Sequence, residues 1–309
     1  MANTTSQSLN LLNPSALARI KDLPLLAKCL AQGFLQGVQH SIQKGTGVEF
    51  SQYRSYEPGD ALSKIDWKLY ARSDKYFVRE AQRESNINVW LVIDSSNSML
   101  QQSVHSQPDD PRSWHKLDYA RTLLATLSYL AQQQGDAIGL LNLSQDNPQF
   151  LPAHNGAQHW RKVLLALARI KAGGTFPAAQ TLLKPLARLQ DNALVIVVSD
   201  FYQHNQDILA FMRKLNGSKT EVMAIQLESD DEVLFPYEGL IRFEDLESHQ
   251  SRLLWAKDAK RDYLAARAEF NHVLASQLNQ AQIGHTIANI DKPLDATLHQ
   301  ILSLRRRLR

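Results

Sequence analysis

A short polar segment that follows an apolar run carries the residues of this chain best suited to binding a cation. The apolar run covers residues 89–93, and five such residues in succession, several β-branched or aromatic, predict a strand buried on both faces. The polar segment then places Asp94, Ser96 and Ser98 at alternate positions of one loop. A carboxylate and two hydroxyls suit a small hard cation such as Mg²⁺, and ligands of open α/β sheets bind at the carboxyl ends of strands.

Two later segments add oxygen atoms of the same kind. The apolar run at residues 193–198 predicts the strongest strand of the chain, and Asp200 follows it closely. Thr175 comes after two glycines, which would let the backbone bring its hydroxyl close to a ligand. If the two strands are neighbours where the strand order reverses, these groups meet in one crevice. We therefore predict a Mg²⁺ or Mn²⁺ site made of Asp94, Ser96, Ser98, Thr175 and Asp200, with Ser95, Asn97 and Ser199 as turn formers.

Two other interpretations of these residues remain open. Serine and aspartate after a strand commonly cap the following helix, which requires no metal. A metal-dependent phosphohydrolase would use Asp94 as its nucleophile, although a haloacid-dehalogenase-type phosphatase carries a second aspartate where Ser96 stands. The chain has no G-x-S-x-G or G-x-x-x-x-G-K-[ST] motif. A non-catalytic role is favoured.

The order of apolar patterns predicts the scaffold that positions these residues. From residue 89 onwards, strands and amphipathic helices alternate, which predicts a mostly parallel α/β sheet with helices on both faces. Residues 228–255 interrupt this alternation and predict a hairpin that turns near residues 237–239. Further strands are expected at 137–143, 149–153, 221–227 and 284–290, and helices at 116–133, 160–170, a segment ending near 189, 207–215, 258–282 and 293–304.

The N-terminal part of the chain has a different character. Residues 48–56 and 75–80 predict strands on either side of a helix at residues 61–72, and the whole stretch is polar, aromatic and charged. Such a module buries little core by itself, so we expect it to pack on the main domain. We predict an N-terminal extension over residues 1–84 and the main domain over residues 85–309.

Composition limits the class of protein. The 309 residues carry a net charge of +3, too weak to argue for nucleic acid, and the basic residues at 304–309 suit a solvated helix end. Cys29 is the only cysteine, which excludes an intrachain disulfide and a cysteine-based zinc site. The first dozen residues lack a basic start followed by an apolar run, so no signal peptide is expected. We expect a cytoplasmic protein without a membrane span.

The pattern D-x-S-x-S, then a threonine, then an aspartate after a later strand resembles the metal-ion-dependent adhesion site of von Willebrand factor A domains. The resemblance implies a von Willebrand factor A-like, Rossmann-like doubly wound fold. It also implies that the three hydroxyls contact Mg²⁺ directly and the aspartates partly through water. An acidic residue of a partner would complete the coordination. A structural scaffold with a vestigial site is the remaining alternative.

Three segments before residue 68 resemble the signature of one bacterial family. They are GVEF at 47–50, RSYEPGD at 54–60 and IDW at 65–67. The family is known as domain of unknown function fifty-eight, has a von Willebrand A-like domain, and is often encoded beside MoxR-type AAA+ ATPases. The resemblance implies an adaptor that works with such an ATPase in assembling or remodelling a protein complex. Many relatives carry N-terminal membrane helices, which this sequence does not show. The signature residues Arg54, Asp60, Asp66 and Trp67 suit either structural ion pairs or a docking surface.

Overall fold

The computed structural model describes residues 22–44, 53–55, 76–79, 87–102, 114–145, 148–177, 193–202, 207–217, 219–246 and 250–308. The chain divides into two compact units, one of Met1–Phe34 with Ile87–Arg309 and one of Leu35–Asn86. The predicted domain boundary between residues 84 and 85 lies outside the described residues and stays a prediction. The same holds for the predicted helices at 61–72 and near 189, and for most of the family signature.

The described elements follow the predicted alternation of strands and helices. The strands are β1 (Tyr53–Ser55), β2 (Phe77–Arg79), β3 (Asn88–Asp94), β4 (Ala137–Leu143), β5 (Gln149–His154), β6 (Ala193–Ser199), β7 (Thr220–Glu228), β8 (Leu240–Glu244), β9 (Ser251–Trp255) and β10 (Gly284–Asn289). The α-helices are α1 (Leu23–Lys44), α2 (Lys116–Gln133), α3 (Ala157–Arg169), α4 (Asp207–Leu215), α5 (Asp230–Leu234), α6 (Ala256–Gln280) and α7 (Leu294–Leu308). In the smaller unit, β1 and β2 pair antiparallel.

The larger unit is built on a six-stranded sheet in the order β10-β7-β6-β3-β4-β5. All neighbours pair in parallel except β4 and the edge strand β5. Counted along the chain, the strand order is 3-2-1-4-5-6, which is that of a doubly wound sheet whose winding reverses between the first and fourth strands. These two strands are β3 and β6. The predicted mostly parallel α/β fold is confirmed.

Burial explains why the central strands are continuous apolar runs. Every residue of β4 and β6 is buried, as is every residue of β3 after Asn88. Strands covered by helices on both faces have no solvent side, so they do not alternate with polar residues. Helix α2 carries thirteen buried residues of eighteen and is therefore enclosed on most of its surface. The first half of α1 also belongs to this unit. There the Phe34 ring packs against the His299 ring of α7, with ring centroids 4.7 Å apart.

The predicted hairpin exists, but its predicted turn is wrong. Strands β8 and β9 pair antiparallel, and their connection runs through residues 245–250, where the Asp245 amide donates to the Gln250 carbonyl at 2.9 Å. Gly239, with φ of +76°, instead lies at the base of the hairpin, where its carbonyl accepts from the Ala256 amide at 2.8 Å. The glycine signal marks a change of chain direction, and it does not distinguish the base of a hairpin from its tip.

In the segments that the structure describes, no helix combines the length and apolarity needed to cross a membrane.

Gly139 of β4 provides a sharp test of the core. It pairs with Trp90 of β3, and a Cβ at position 139 would lie 2.3 Å from Trp90 Cε3. The Trp90 ring also stacks on Phe150, with centroids 5.3 Å apart, so its movement is restricted. We expect Gly139→Ala to lower the free energy of unfolding in urea by about 1–3 kcal/mol, as overpacking of a core does.

Two further variants complete this test. Gly33→Ala, in the middle of α1 with no atom within 4 Å of the added Cβ, should stabilise the protein by about 0.5–1 kcal/mol. Trp90→Leu should offset part of the loss in the Gly139→Ala background, because the smaller side chain frees the space that the methyl group needs. An unchanged urea midpoint for Gly139→Ala would contradict the close packing of these two strands.

Candidate metal centre

The two predicted carboxylates lie at the carboxyl ends of neighbouring strands. Asp94 is the last residue of β3, and Asp200 directly follows β6, which pairs with β3 in parallel. The strands are therefore neighbours at the point where the winding of the sheet reverses, as predicted. Both carboxylates are fully buried, as is Ser96. Buried polar groups of this kind require partners, and the surrounding loops supply them.

Backbone hydrogen bonds hold two loops together at this edge of the sheet. The Asn97 amide donates to the Gly174 carbonyl at 3.1 Å, and the Gly173 amide donates to the Ser95 carbonyl at 2.9 Å. Gly174 has φ of +66°, a conformation that L side chains rarely adopt. The glycine pair therefore allows the loop before Thr175 to lie against the loop after β3.

Each oxygen of Asp94 accepts a hydrogen bond. Oδ1 accepts from the Ser96 amide at 2.9 Å, and Oδ2 accepts from the Ser199 hydroxyl at 2.6 Å. The Ser199 hydroxyl in turn accepts from the Phe201 amide at 2.9 Å. Ser199 was predicted to be a turn former only, but its side chain also fixes the orientation of Asp94. The contact joins residues 105 positions apart in the chain, so the local sequence around either residue does not indicate it.

The hydroxyls of Ser96 and Ser98 are adjacent. Their Oγ atoms lie 3.0 Å apart, within hydrogen-bonding distance. Mg²⁺ holds its ligands octahedrally at about 2.0–2.1 Å, so two adjacent ligands are separated by roughly 2.9 Å. The spacing of the two hydroxyls therefore fits a shared magnesium ion without a change in their separation.

Thr175 is placed differently from the other four predicted ligands. Its side chain is exposed, and its hydroxyl donates to Gln145 Oε1 at 2.6 Å. Its loop lies beside the Asp94 loop, but the hydroxyl is engaged with a glutamine of the neighbouring connection. Thr175 would have to exchange this hydrogen bond for a metal contact, whereas Ser96 and Ser98 are already side by side.

A buried lysine that the sequence interpretation overlooked lies at the same site. Lys116, the first residue of α2, is 1% exposed, and its Nζ lies 3.4 Å from Asp200 Oδ2 and 2.7 Å from Glu232 Oε1. Burial lowers the pKa of this ammonium, but the two carboxylates outweigh burial and raise it. Lys116 lies on the same helical face as Ala120 and Leu123. A lysine within such an apolar stripe is the feature of the sequence that indicates a buried ammonium.

The site carries a net negative charge when its buried carboxylates are ionised. Burial, followed by the charge of Asp200, raises the pKa of Asp94 to about 6, although hydrogen bonds from Ser199 and Ser96 act in the opposite direction. Asp94, Asp200 and Glu232 carry three negative charges when ionised, against one positive charge on Lys116. A divalent cation would balance the difference. The donor set thus fits Mg²⁺, although the described residues contain no cluster of three or more histidine, cysteine or acidic side chains placed to hold a metal.

Similar proteins are found over most of the chain. A protein of Mycobacterium tuberculosis (strain ATCC 25618 / H37Rv) named Uncharacterized protein Rv1480 is 26% identical over 290 residues, which cover 91% of this chain and 84% of that protein. Among solved structures, the conserved hypothetical protein BatB from Bacteroides thetaiotaomicron covers 71% of this chain and 99% of its own, with 12% identity and a TM-score of 0.43. The SpRpn10 VWA domain covers 69% and 94%, with 11% identity and a TM-score of 0.35.

The family model described as "Protein of unknown function DUF58" matches residues 52–277, well over half of the chain. The match begins in the segment that carries the signature motifs and covers five of the six strands of the sheet, the candidate metal centre and most of α6, but not β10. This chain belongs to the DUF58 family.

Proposed function

We propose that this DUF58 protein is a non-catalytic interaction module whose contact with a partner depends on Mg²⁺ or Mn²⁺. Asp94, Ser96, Ser98, Thr175 and Asp200 would hold the ion, and an aspartate or glutamate of the partner would complete its coordination. The observation that carries the proposal is the 3.0 Å separation of the Ser96 and Ser98 hydroxyls beside two buried carboxylates.

The bound ion would act as a Lewis acid towards a carboxylate of the partner. The protein's own residues prepare the site in two ways. Ser199 and the Ser96 amide hold both oxygens of Asp94 in place, which limits the reorganisation that metal binding requires. Lys116 neutralises part of the charge of Asp200, which keeps the total negative charge around the ion low. Low ligand charge favours acceptance of one more carboxylate from outside.

We propose a MoxR-type AAA+ ATPase as the partner, with the protein acting as an adaptor in the assembly or remodelling of a complex in the cytoplasm. This part of the proposal depends on the resemblance of the signature segments to a family that is often encoded beside such ATPases. The acidic ligand would come from the ATPase itself or from the complex on which it acts.

A phosphohydrolase with Asp94 as its nucleophile is less well supported by the geometry. Both oxygens of Asp94 accept hydrogen bonds, and the side chain has no exposed surface. A carboxylate nucleophile needs one oxygen directed at an incoming phosphorus atom. The Asp94 side chain has no accessible surface on which such an approach could take place in this conformation.

Partner capture tests the proposed function. The tagged protein, incubated with an extract of its source cells, should retain a MoxR-type ATPase when Mg²⁺ is present and release it when a chelator is added. Ser96→Ala should lose the same partner. The control Ser276→Ala changes an exposed serine of α6 and should keep it. The captured proteins are identified by mass spectrometry.

Two outcomes would contradict this proposal. A partner retained equally with chelator would indicate a scaffold that makes no use of a metal. Hydrolysis of a generic phosphate ester that requires Mg²⁺ and is lost in Asp94→Asn would support the phosphohydrolase instead.

A further inference from the structure

A large cavity lies beside the hairpin. Its volume is about 850 Å³, which falls in the range typical of ligand-binding clefts. Its walls come from Gln101, which directly follows a 3₁₀-helix at Asn97–Leu100, from α5 and the segment after it, from β8 and β9, and from the first turns of α6. All of these elements belong to the larger unit. The cavity is therefore formed within one compact part of the chain.

The ionisable residues that line this cavity all carry negative charge when ionised. They are two tyrosines and four carboxylates, and the lining residues that the structure describes include no lysine, arginine or histidine. The carboxylates are those of Asp231, Glu232, Asp258 and Asp262. Two of the four have a cationic neighbour. Glu232 pairs with the buried Lys116, and Asp262 pairs with Arg261, but that second pair is largely exposed and is screened by water. Asp258 and Asp262, one turn of α6 apart, add two carboxylates to the cavity wall, with Lys257, Lys260 and Arg261 next to them in the helix.

The proximity of these charges affects neighbouring groups. Burial, followed by the charge of Asp231, raises the pKa of Tyr237 to about 12, and burial, followed by the charge of Glu232, raises that of Tyr263 to about 12. Burial also raises the pKa of Asp231, with further contributions from nearby acidic residues such as Asp291. Burial is the largest cause of each of these pKa rises, and the acidic neighbours add to it.

Aromatic rings form the rest of the cavity wall. The buried Phe235 lies at the centre, with ring centroids 5.6 Å from Phe243 in a stacked arrangement, 5.1 Å from Tyr237 and 5.1 Å from Tyr263. Ring faces attract cations, and the attraction adds to that of the carboxylates. Phe235 itself adopts φ of +46°, which ends α5 and directs the chain into this cluster.

The hairpin adds an apolar rim that the described residues leave uncovered. Every residue of β9 is exposed, and Leu253 and Trp255 keep 60% of their surface accessible. Leu254, 43% exposed, also lines the cavity. Adjacent exposed apolar side chains of this size are typical of surfaces that bind another molecule.

We propose that this cavity binds a basic peptide segment of a partner protein, in which an arginine side chain enters between the aromatic rings and the carboxylates while an apolar neighbour rests on the hairpin. Arginine fits both kinds of wall, because its planar cation stacks on aromatic rings and donates in pairs to carboxylates. The extended apolar rim distinguishes a peptide from a small cation, which would fill the charged interior and leave Leu253 and Trp255 uncovered. The proposal does not rest on metal binding, although the cavity meets the proposed metal centre at Glu232, which pairs with the Lys116 that also contacts Asp200.

Fluorescence polarisation with short labelled peptides tests the proposal, with a chelator present so that the result does not depend on a metal. The probe is a peptide of alternating arginine and leucine, compared with peptides in which glutamate replaces arginine or serine replaces leucine. We expect binding of the first peptide only, and weaker binding at high salt. The double variant Asp258→Asn/Asp262→Asn, and separately Leu253→Ala, should each weaken binding about tenfold or more, as loss of an interface anchor does.

Matched control variants identify the surface. Leu165→Ala removes a leucine of α3 that is 56% exposed, close to the 60% of Leu253, and should leave binding unchanged. Glu269→Gln neutralises an exposed carboxylate further along α6 and should do the same. The proposal is overturned if the basic peptide fails to bind the folded protein, or if the control variants weaken binding as much as the cavity variants. It is also overturned if spermidine binds in the cavity and the peptide does not.

Discussion

Lys116→Met should lower the free energy of unfolding by about 3–5 kcal/mol, which is the typical cost of removing one partner from a buried ion pair. The lysine is 1% exposed and forms ion pairs with both Asp200 and Glu232. Methionine fills a similar volume but leaves the two carboxylates without this positive charge. Urea unfolding at pH 7.5 measures the change.

Two further variants separate the ion pair from other effects of this substitution. Lys162→Met, on the exposed side of α3, should change stability by no more than about 0.5 kcal/mol. Glu232→Gln in the Lys116→Met background should recover part of the loss, because it removes one of the two carboxylates left without compensation. A loss below about 1 kcal/mol for Lys116→Met would show that the ammonium does not hold these carboxylates in the folded protein.

The sequence was sufficient for those features that depend on local pattern. The apolar runs of β3, β4 and β6 predicted their positions, because a strand covered on both faces must be apolar throughout. Helices α2 and α4 begin and end where the apolar spacing placed them. The meeting of Asp94 and Asp200 also followed, since a doubly wound sheet brings the carboxyl ends of its central strands together.

The contacts that depend on tertiary placement could not be predicted in the same way. Glu232 is 116 residues from Lys116 in the chain, and the local sequence identifies it only as the end of a capping box that begins at Ser229. Ser199 and Asp94 are 105 residues apart, and only the pairing of β3 with β6 brings the hydroxyl to the carboxylate. The Thr175 hydroxyl is a further example, because it donates to Gln145, which lies in the connection between β4 and β5.

Metal binding should depend on pH in a direction that the environment of Asp94 determines. Its pKa, raised to about 6, means that the ionised carboxylate destabilises the metal-free protein relative to the unfolded chain. That contribution favours folding below about pH 4 and is lost as the pH rises through about 6. A bound divalent cation would compensate the ionised carboxylate. Mg²⁺ should therefore raise the melting temperature more at pH 8 than at pH 5, where a proton competes for Asp94.

Calorimetric titration of Mg²⁺ and Mn²⁺ into the purified protein at pH 7.5 tests the central claim most directly. We predict one bound ion per chain for the wild type, at least tenfold weaker binding for Ser96→Ala, and no measurable binding for Asp94→Ala, while Ser276→Ala binds as the wild type does. Circular dichroism confirms that each variant is folded. Equal binding by the wild type and Asp94→Ala, or no binding by a folded wild type, would contradict the account.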